Sequence, residues 1–227
     1  MKRLFSGLML MLMGVYALAA HAAADRWVQG ENYVLLSPVQ RTSVPAGKVE
    51  VMEVFSYACP ACNGFQPLLE KLKQSLPPNA QMVYLPASFI PAEDWPTFQR
   101  AYFAAQALGI ADKTHQAIYD AVWKTGELAT VNPTTHQLKS PMPSLEDVAR
   151  CYSRLTGVKP EAFLAAARSF GVDVKVREAD AKIIAMQVPS TPCLIVNGKY
   201  RVNMQSLGKP DDVIDIVKTL VAKESQH

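Results

Sequence analysis

The chain has 227 residues, 49% hydrophobic and 19% charged, an ordinary globular composition that excludes disorder as its main state. Without Lys2 and Arg3 the formal net charge of +3 falls to +1, 21 basic against 20 acidic residues, which leaves no electrostatic footprint for nucleic acid or an anionic membrane surface. Four cysteines are too few to staple a chain this long, so packing must hold the fold and the thiols are free for other work.

Met1-Lys2-Arg3 is a short basic start, followed by an apolar run and then by Ala20-His21-Ala22, a small-x-small cleavage pattern. Ser6, Gly7 and Gly14 interrupt the run, which falls short of the ~20 residues a membrane span needs. Residues 1–22 therefore read as a secretory signal peptide rather than an anchor, with cleavage after Ala24 as the alternative site. The mature protein is expected to be soluble and exported, where disulfides persist.

Val49–Phe55 is almost wholly apolar and too short for a helix, which predicts a strand covered on both faces, as in a parallel sheet. Ser56-Tyr57-Ala58 leads into Cys59-Pro60-Ala61-Cys62. Phe65, Leu68, Leu69, Leu72 and Leu76 follow at helical spacing and stop at Pro77-Pro78. Pro60 suits the first helical position with Cys59 at the cap, and Pro67 falls inside the helix. Residues 82–85 read as a second strand.

From about residue 93 to 187 the apolar period becomes helical, through Phe98 and Tyr102, Ile118 and Val122, Val148 and Tyr152, Phe163 and Ala167, then Val172, Ala179 and Ile183. Gly109, Gly157 and Gly171 are placed to end helices. Residues 126–143 have no sustained period and form a long loop, a length that is functional or mobile. Strand character returns at Cys193–Val196, followed by an Asn197-Gly198 turn and residues 199–202, a strong hairpin signal. A final helix is predicted over 210–222 with Asp211 and Asp212 in its first turn, where the dipole favours acids.

The chemistry lies with Cys59 and Cys62. Positions i and i+3 share a helix face, so the two sulfurs can close a disulfide within one turn. At a helix N-terminus Cys59 has free backbone N–H groups and the positive end of the dipole beside it, which favours the thiolate and depresses its pKa. A stabilised thiolate attacks disulfides and also leaves them readily, with Cys62 as the resolving partner. Half a zinc site or a structural bridge can share this spacing, but Cys151, Cys193, His115 and His136 are scattered and form no second tight pair. A C-x-x-C that follows a buried strand and opens a helix has the redox placement.

Taken together, Glu53-Val54-Phe55-Ser56-Tyr57-Ala58-Cys59-Pro60-Ala61-Cys62, Pro67, Thr191-Pro192 and Val196-Asn197-Gly198-Lys199-Tyr200 resemble the thioredoxin superfamily, and within it the DsbA family of exported thiol:disulfide interchange proteins. The resemblance covers nearly the whole mature chain. It implies an α/β thioredoxin fold from residues 23–92 and 188–227, with an all-helical domain inserted at 93–187. It also implies a periplasmic oxidase that introduces disulfides into newly translocated proteins, with Cys59 as exposed nucleophile and Cys62 as buried partner. Pro192 is then the family's cis-proline beside the sulfurs, and Pro60, Ala61 and Thr191 shape the site.

Glu53 interrupts the apolar strand and reads either as a buried acid with a raised pKa or as an acid at an exposed strand end; the resemblance favours the buried role. Two departures stand out. Ala61 occupies the place where well-known members carry His, and residues 81–84 supply no counterpart to the lysine that pairs with the buried acid in those members. The resemblance implies reduced unfolded exported proteins as substrates, a quinone-coupled membrane reoxidant of the DsbB type, no metal or other cofactor, no nucleic acid, and a monomer. The alternatives are an isomerase or reductase on the same fold, or a binding protein whose C-x-x-C is structural or holds zinc. Cys151 and Cys193 are expected to bridge the helical insertion to the core, in preference to two buried free thiols. His115 reads as a helix-surface or edge residue and His136 as a loop residue.

Overall fold

A computed structural model describes residues 26–225; the expected signal peptide lies outside the described residues. The elements run β1 (Tyr33–Leu35), β2 (Val49–Phe55), α1 (Pro60–Ser75), β3 (Ala80–Pro86), then α2 (Trp95–Ala107), α3 (Ala111–Trp123), α4 (Leu145–Thr156), α5 (Pro160–Ala167) and α6 (Phe170–Ala185). The chain then returns through β4 (Cys193–Val196), β5 (Tyr200–Val202) and α7 (Asp212–Glu224). The strands form one sheet in the order β1-β5-β4-β2-β3. All seven residues of β2 are buried, as its apolar run predicts. The sheet is mixed rather than parallel, because β2 pairs parallel with β3 on one side and antiparallel with β4 on the other. β1 has only three residues, at the sheet edge against β5, and so carries too little pattern to be read in advance.

Two apolar cores lie against this sheet. In one, Val51, Leu194 and Val196 pack with Leu69 and Leu72 of α1 and with Ile216, Val217 and Leu220 of α7. In the other, Phe55 and Tyr57 pack with Phe98, Tyr102, Ile118 and Tyr119 of the helices between β3 and β4, and Tyr152 stacks on Phe163. Each fully buried Leu or Phe contributes roughly 1.5–3 kcal/mol relative to exposure.

Gly109 and Gly157 end their helices at φ 67° and 76°, a region open to glycine at no steric cost. Gly171 does not end one. It lies in the first turn of α6, whose N-cap is Ser169, with the hydroxyl accepting from the Val172 N–H at 3.3 Å. Phe170, in the same turn, is 77% exposed. The long loop is pinned at its start: Leu128 is buried, and the Leu128 N–H donates to the Ala121 carbonyl at 2.9 Å. Asn197 and Gly198 both have positive φ and close the β4–β5 hairpin. Helix α6 is capped by Met186 and followed by Gln187 at φ 52°. Its N–H bonds the Ile184 carbonyl at 2.9 Å and the Val188 N–H bonds that of Ile183 at 3.2 Å, turning the chain toward Thr191 beside the C-x-x-C.

Candidate active site

Strand β2 ends at Phe55, and the turn Ser56-Tyr57-Ala58 delivers Cys59 to the cap of α1 and Pro60 to its first position. The Cys59 sulfur acts as the capping acceptor, taking the Cys62 N–H at 3.4 Å. Pro67 sits inside α1 without ending it, and the helix continues to Ser75. The peptide Thr191–Pro192 is cis, and the Thr191 carbonyl accepts from the Cys59 thiol at 3.6 Å. Cys59 and Cys62 stand as a dithiol.

The environment drives the two thiols apart. Cys59 is lowered from 9.0 to about 6, first by the hydrogen bond from the Cys62 thiol and then by the Thr191 side chain and the Cys62 and Ala61 backbone, against the opposing effect of burial. The Thr191 hydroxyl has no other partner and is free to donate to the sulfur. The bond from the Cys59 thiol to the Thr191 carbonyl favours the protonated form and is lost on ionisation. Cys62 is pushed strongly up, by burial first, then by the bond it donates to Cys59 and by the charge of Glu53. At neutral pH the pair therefore carries its negative charge on Cys59.

Glu53 is fully buried and neither carboxylate oxygen has a hydrogen-bond partner. Burial, then the Cys59 charge, raises its pKa well above the usual carboxylate range. Its neighbour across the β2–β3 ladder is Tyr84, where no lysine is available, and the Tyr84 hydroxyl is itself raised by burial and by Glu53.

Helix α3 clamps the turn before Cys59. His115, Tyr119 and Trp123 recur every four residues on one of its faces. The Trp123 indole donates to the Tyr57 carbonyl at 2.8 Å, the Tyr119 hydroxyl to the Ser56 carbonyl at 3.4 Å, and His115 Nδ1 shares a 3.0 Å bond with the Tyr57 hydroxyl. This corrects the surface placement of His115: it is buried among Phe55, Tyr57, Tyr84 and Tyr119, with burial lowering its pKa to about 3. The i, i+4, i+8 spacing was the available sequence signal, but a histidine on an amphipathic helix is normally polar-facing.

A second correction concerns the other cysteines. In place of a Cys151–Cys193 bridge the structure holds two separate buried thiols. Cys151 sits with Glu127 and Arg154, the Arg154 guanidinium 3.6 Å from its sulfur, while Arg201 is the charge felt by Cys193 in the sheet. Burial raises them to about 11 and about 12, so neither competes as a thiolate.

A cavity of about 600 Å³ opens beside Cys59, lined by Pro60, Phe89, Ile90, Trp95, Val188 and Thr191 among others. Phe89 stacks on Trp95 at 6.1 Å.

A thioredoxin-type sheet with an activated cysteine pair capping its first long helix defines a thiol:disulfide oxidoreductase. The chain belongs to the DSBA-like thioredoxin domain family, whose model matches residues 50–213. It is 30% identical over 224 residues to the thiol:disulfide interchange protein DsbA of Pseudomonas aeruginosa, covering 99% of this chain and 97% of that relative. With the protein of the same description from Azotobacter vinelandii it shares 31% over 228 residues, covering 99% and 98%. The crystal structure of the oxidoreductase DsbA from Xylella fastidiosa superposes with a TM-score of 0.75 at 30% identity, over 88% of this chain and 99% of that one.

Proposed function

We propose that this thiol:disulfide oxidoreductase works as an exported, periplasmic oxidase and donates the Cys59–Cys62 disulfide to reduced, unfolded proteins as they arrive. The observation that carries this reading is the Cys59 sulfur at the N-cap of α1, accepting the Cys62 N–H at 3.4 Å beside the Thr191 carbonyl, a placement that lowers the Cys59 pKa while burial raises that of Cys62. In the oxidised form a substrate thiolate attacks the Cys59 sulfur, the Cys59–Cys62 bond breaks, and Cys62 leaves and takes up a proton. A second substrate thiolate then attacks the substrate sulfur of the mixed disulfide, and Cys59 leaves as the stable thiolate. The substrate loses two electrons and two protons, and the electrons end on the cysteine pair. Glu53, close enough for its charge to act on Cys62 and with a raised pKa of its own, is the group suited to exchange that proton. A quinone-coupled membrane partner of the DsbB type takes the electrons away. The apolar cavity beside Cys59 suits side chains that an unfolded chain exposes and a folded one hides.

The test is equilibration of the mature protein in graded glutathione buffers with thiol trapping at Cys59 and Cys62. A potential near ~−120 mV, the value of DsbA, supports the oxidase; one near ~−270 mV, that of thioredoxin, identifies a reductant instead. A Cys59→Ser variant that still oxidised a reduced unfolded protein would overturn the assignment of the nucleophile.

A further inference from the structure

The cavity beside Cys59 is mostly apolar, with Ser190 and Thr191 as its neutral polar residues and one carboxylate in its lining. Among the described residues that line it, Glu93 alone is ionisable apart from Cys59 itself. It ends the short 3-10 turn Pro91–Glu93, directly before α2. Its carboxylate is held in place, with Oε2 accepting from the Trp95 indole at 3.0 Å, while Oε1 is neither bonded nor buried. No Lys or Arg among the described residues lies within ion-pair distance of it. A cavity of about 600 Å³ is roughly 10 Å across if round, enough for about three residues of extended chain at ~3.4 Å each. A side chain one or two residues from a substrate cysteine held at Cys59 is therefore within reach of this carboxylate.

We propose that Glu93 makes the exchange site charge-selective, favouring substrate cysteines flanked by Lys or Arg and disfavouring those flanked by Asp or Glu. The inference rests on the exchange reading above. Phe89 and Trp95 give the long aliphatic stem of Lys or Arg an apolar surface, and the fixed carboxylate receives the charged head. An acidic flank meets a like charge in the same place.

The test uses three two-cysteine peptides, identical except for Lys, Gln or Glu beside the first cysteine. Each is mixed with oxidised full-length mature protein at low salt, quenched with acid and counted by alkylation. The Lys peptide is expected to react about two- to five-fold faster than the Gln peptide, with the Glu peptide slower by a similar factor. The spread should collapse toward one near 1 M salt, where the screening length is only ~3 Å. In Glu93→Gln, which keeps an acceptor for the Trp95 indole, the Lys-to-Glu ratio should fall to near one whatever the absolute rates do. Equal rates for all three peptides with the unaltered protein, or a ratio that survives both salt and Glu93→Gln, would refute charge selection and leave the exchange reading standing. If no peptide is oxidised while the Cys59–Cys62 disulfide remains intact, the exchange reading itself fails and this inference with it.

Discussion

Replacing Cys62 by Ala should raise the Cys59 pKa, because the Cys62 thiol is the largest influence holding it at about 6. A hydrogen bond to a charged acceptor contributes about 1.5–3 kcal/mol, with sulfur pairs at the weak end. At ~1.4 kcal/mol per pH unit the loss amounts to roughly one unit. The backbone N–H groups of positions 61 and 62 and the Thr191 side chain remain, so the midpoint should settle at about 7, still below the 9.0 of an unperturbed thiol. A raised midpoint means less thiolate at acid pH: at pH 6 the ionised fraction falls from about a half to roughly a tenth. Thiolate absorbance at 240 nm and the pH dependence of iodoacetamide alkylation read this directly. Cys151 and Cys193, held near 11 and 12, stay silent in that window. A midpoint that stays at 6 or drops would show that the backbone and the helix dipole, not the Cys62 thiol, activate Cys59.

Two further outcomes follow from burial and backbone geometry. Glu53→Met should stabilise the fold by about 1–3 kcal/mol, since it removes a buried carboxyl whose oxygens have no partner. The native state retains the Glu53 proton while the unfolded chain releases it above pH ~4.3, so native stability falls as pH rises from there toward the raised native pKa. The variant should lose that slope, and denaturant titrations at pH 5 and 8 decide it; a less stable variant would point to a partner for the carboxylate. Gly198→Ala should cost about 2–4 kcal/mol from left-handed strain and a broken hydrogen bond. A Cβ there would lie 2.1 Å from the Gln40 carbonyl oxygen, and the Gly198 carbonyl accepts the Gln40 N–H at 2.8 Å. Gly64→Ala, inside α1 with nothing within 4 Å of the added carbon, is the control and should stabilise by roughly 0.5–1 kcal/mol in the same melting experiment.

Local chemistry made the reactive site legible in the one-dimensional chain. An apolar strand, a tight turn and a C-x-x-C with Pro at the first helical position prescribe a sulfur at a helix N-terminus, because capping and the dipole act over a single turn. The hairpin at Asn197-Gly198 was equally plain, since its two positive φ values demand those residue types. Glu53 was visible as an acid inside a largely apolar run, though its burial without any partner needed the neighbouring strands and α1 to be in place.

What tertiary packing alone decided are the contacts between segments far apart in sequence. His115, Tyr119 and Trp123 reach back some sixty residues to hold Ser56 and Tyr57. Of the three only His115 reads as a surface residue in the sequence, until Phe55 of β2 and Tyr84 of β3 close over it. An even cysteine count and an oxidising compartment favoured a bridge between Cys151 and Cys193, yet α4 and β4 give their sulfurs different neighbours, and a disulfide depends on sulfur approach rather than cysteine count. Glu93 carried no motif at all; only the meeting of the segment before α2 with residues 188–191 and Cys59 makes it the charge in the groove. The sequence by itself determined which sulfur is activated, because that is settled within one helical turn, whereas the surroundings of that sulfur depend on how distant segments pack and so belong to the fold.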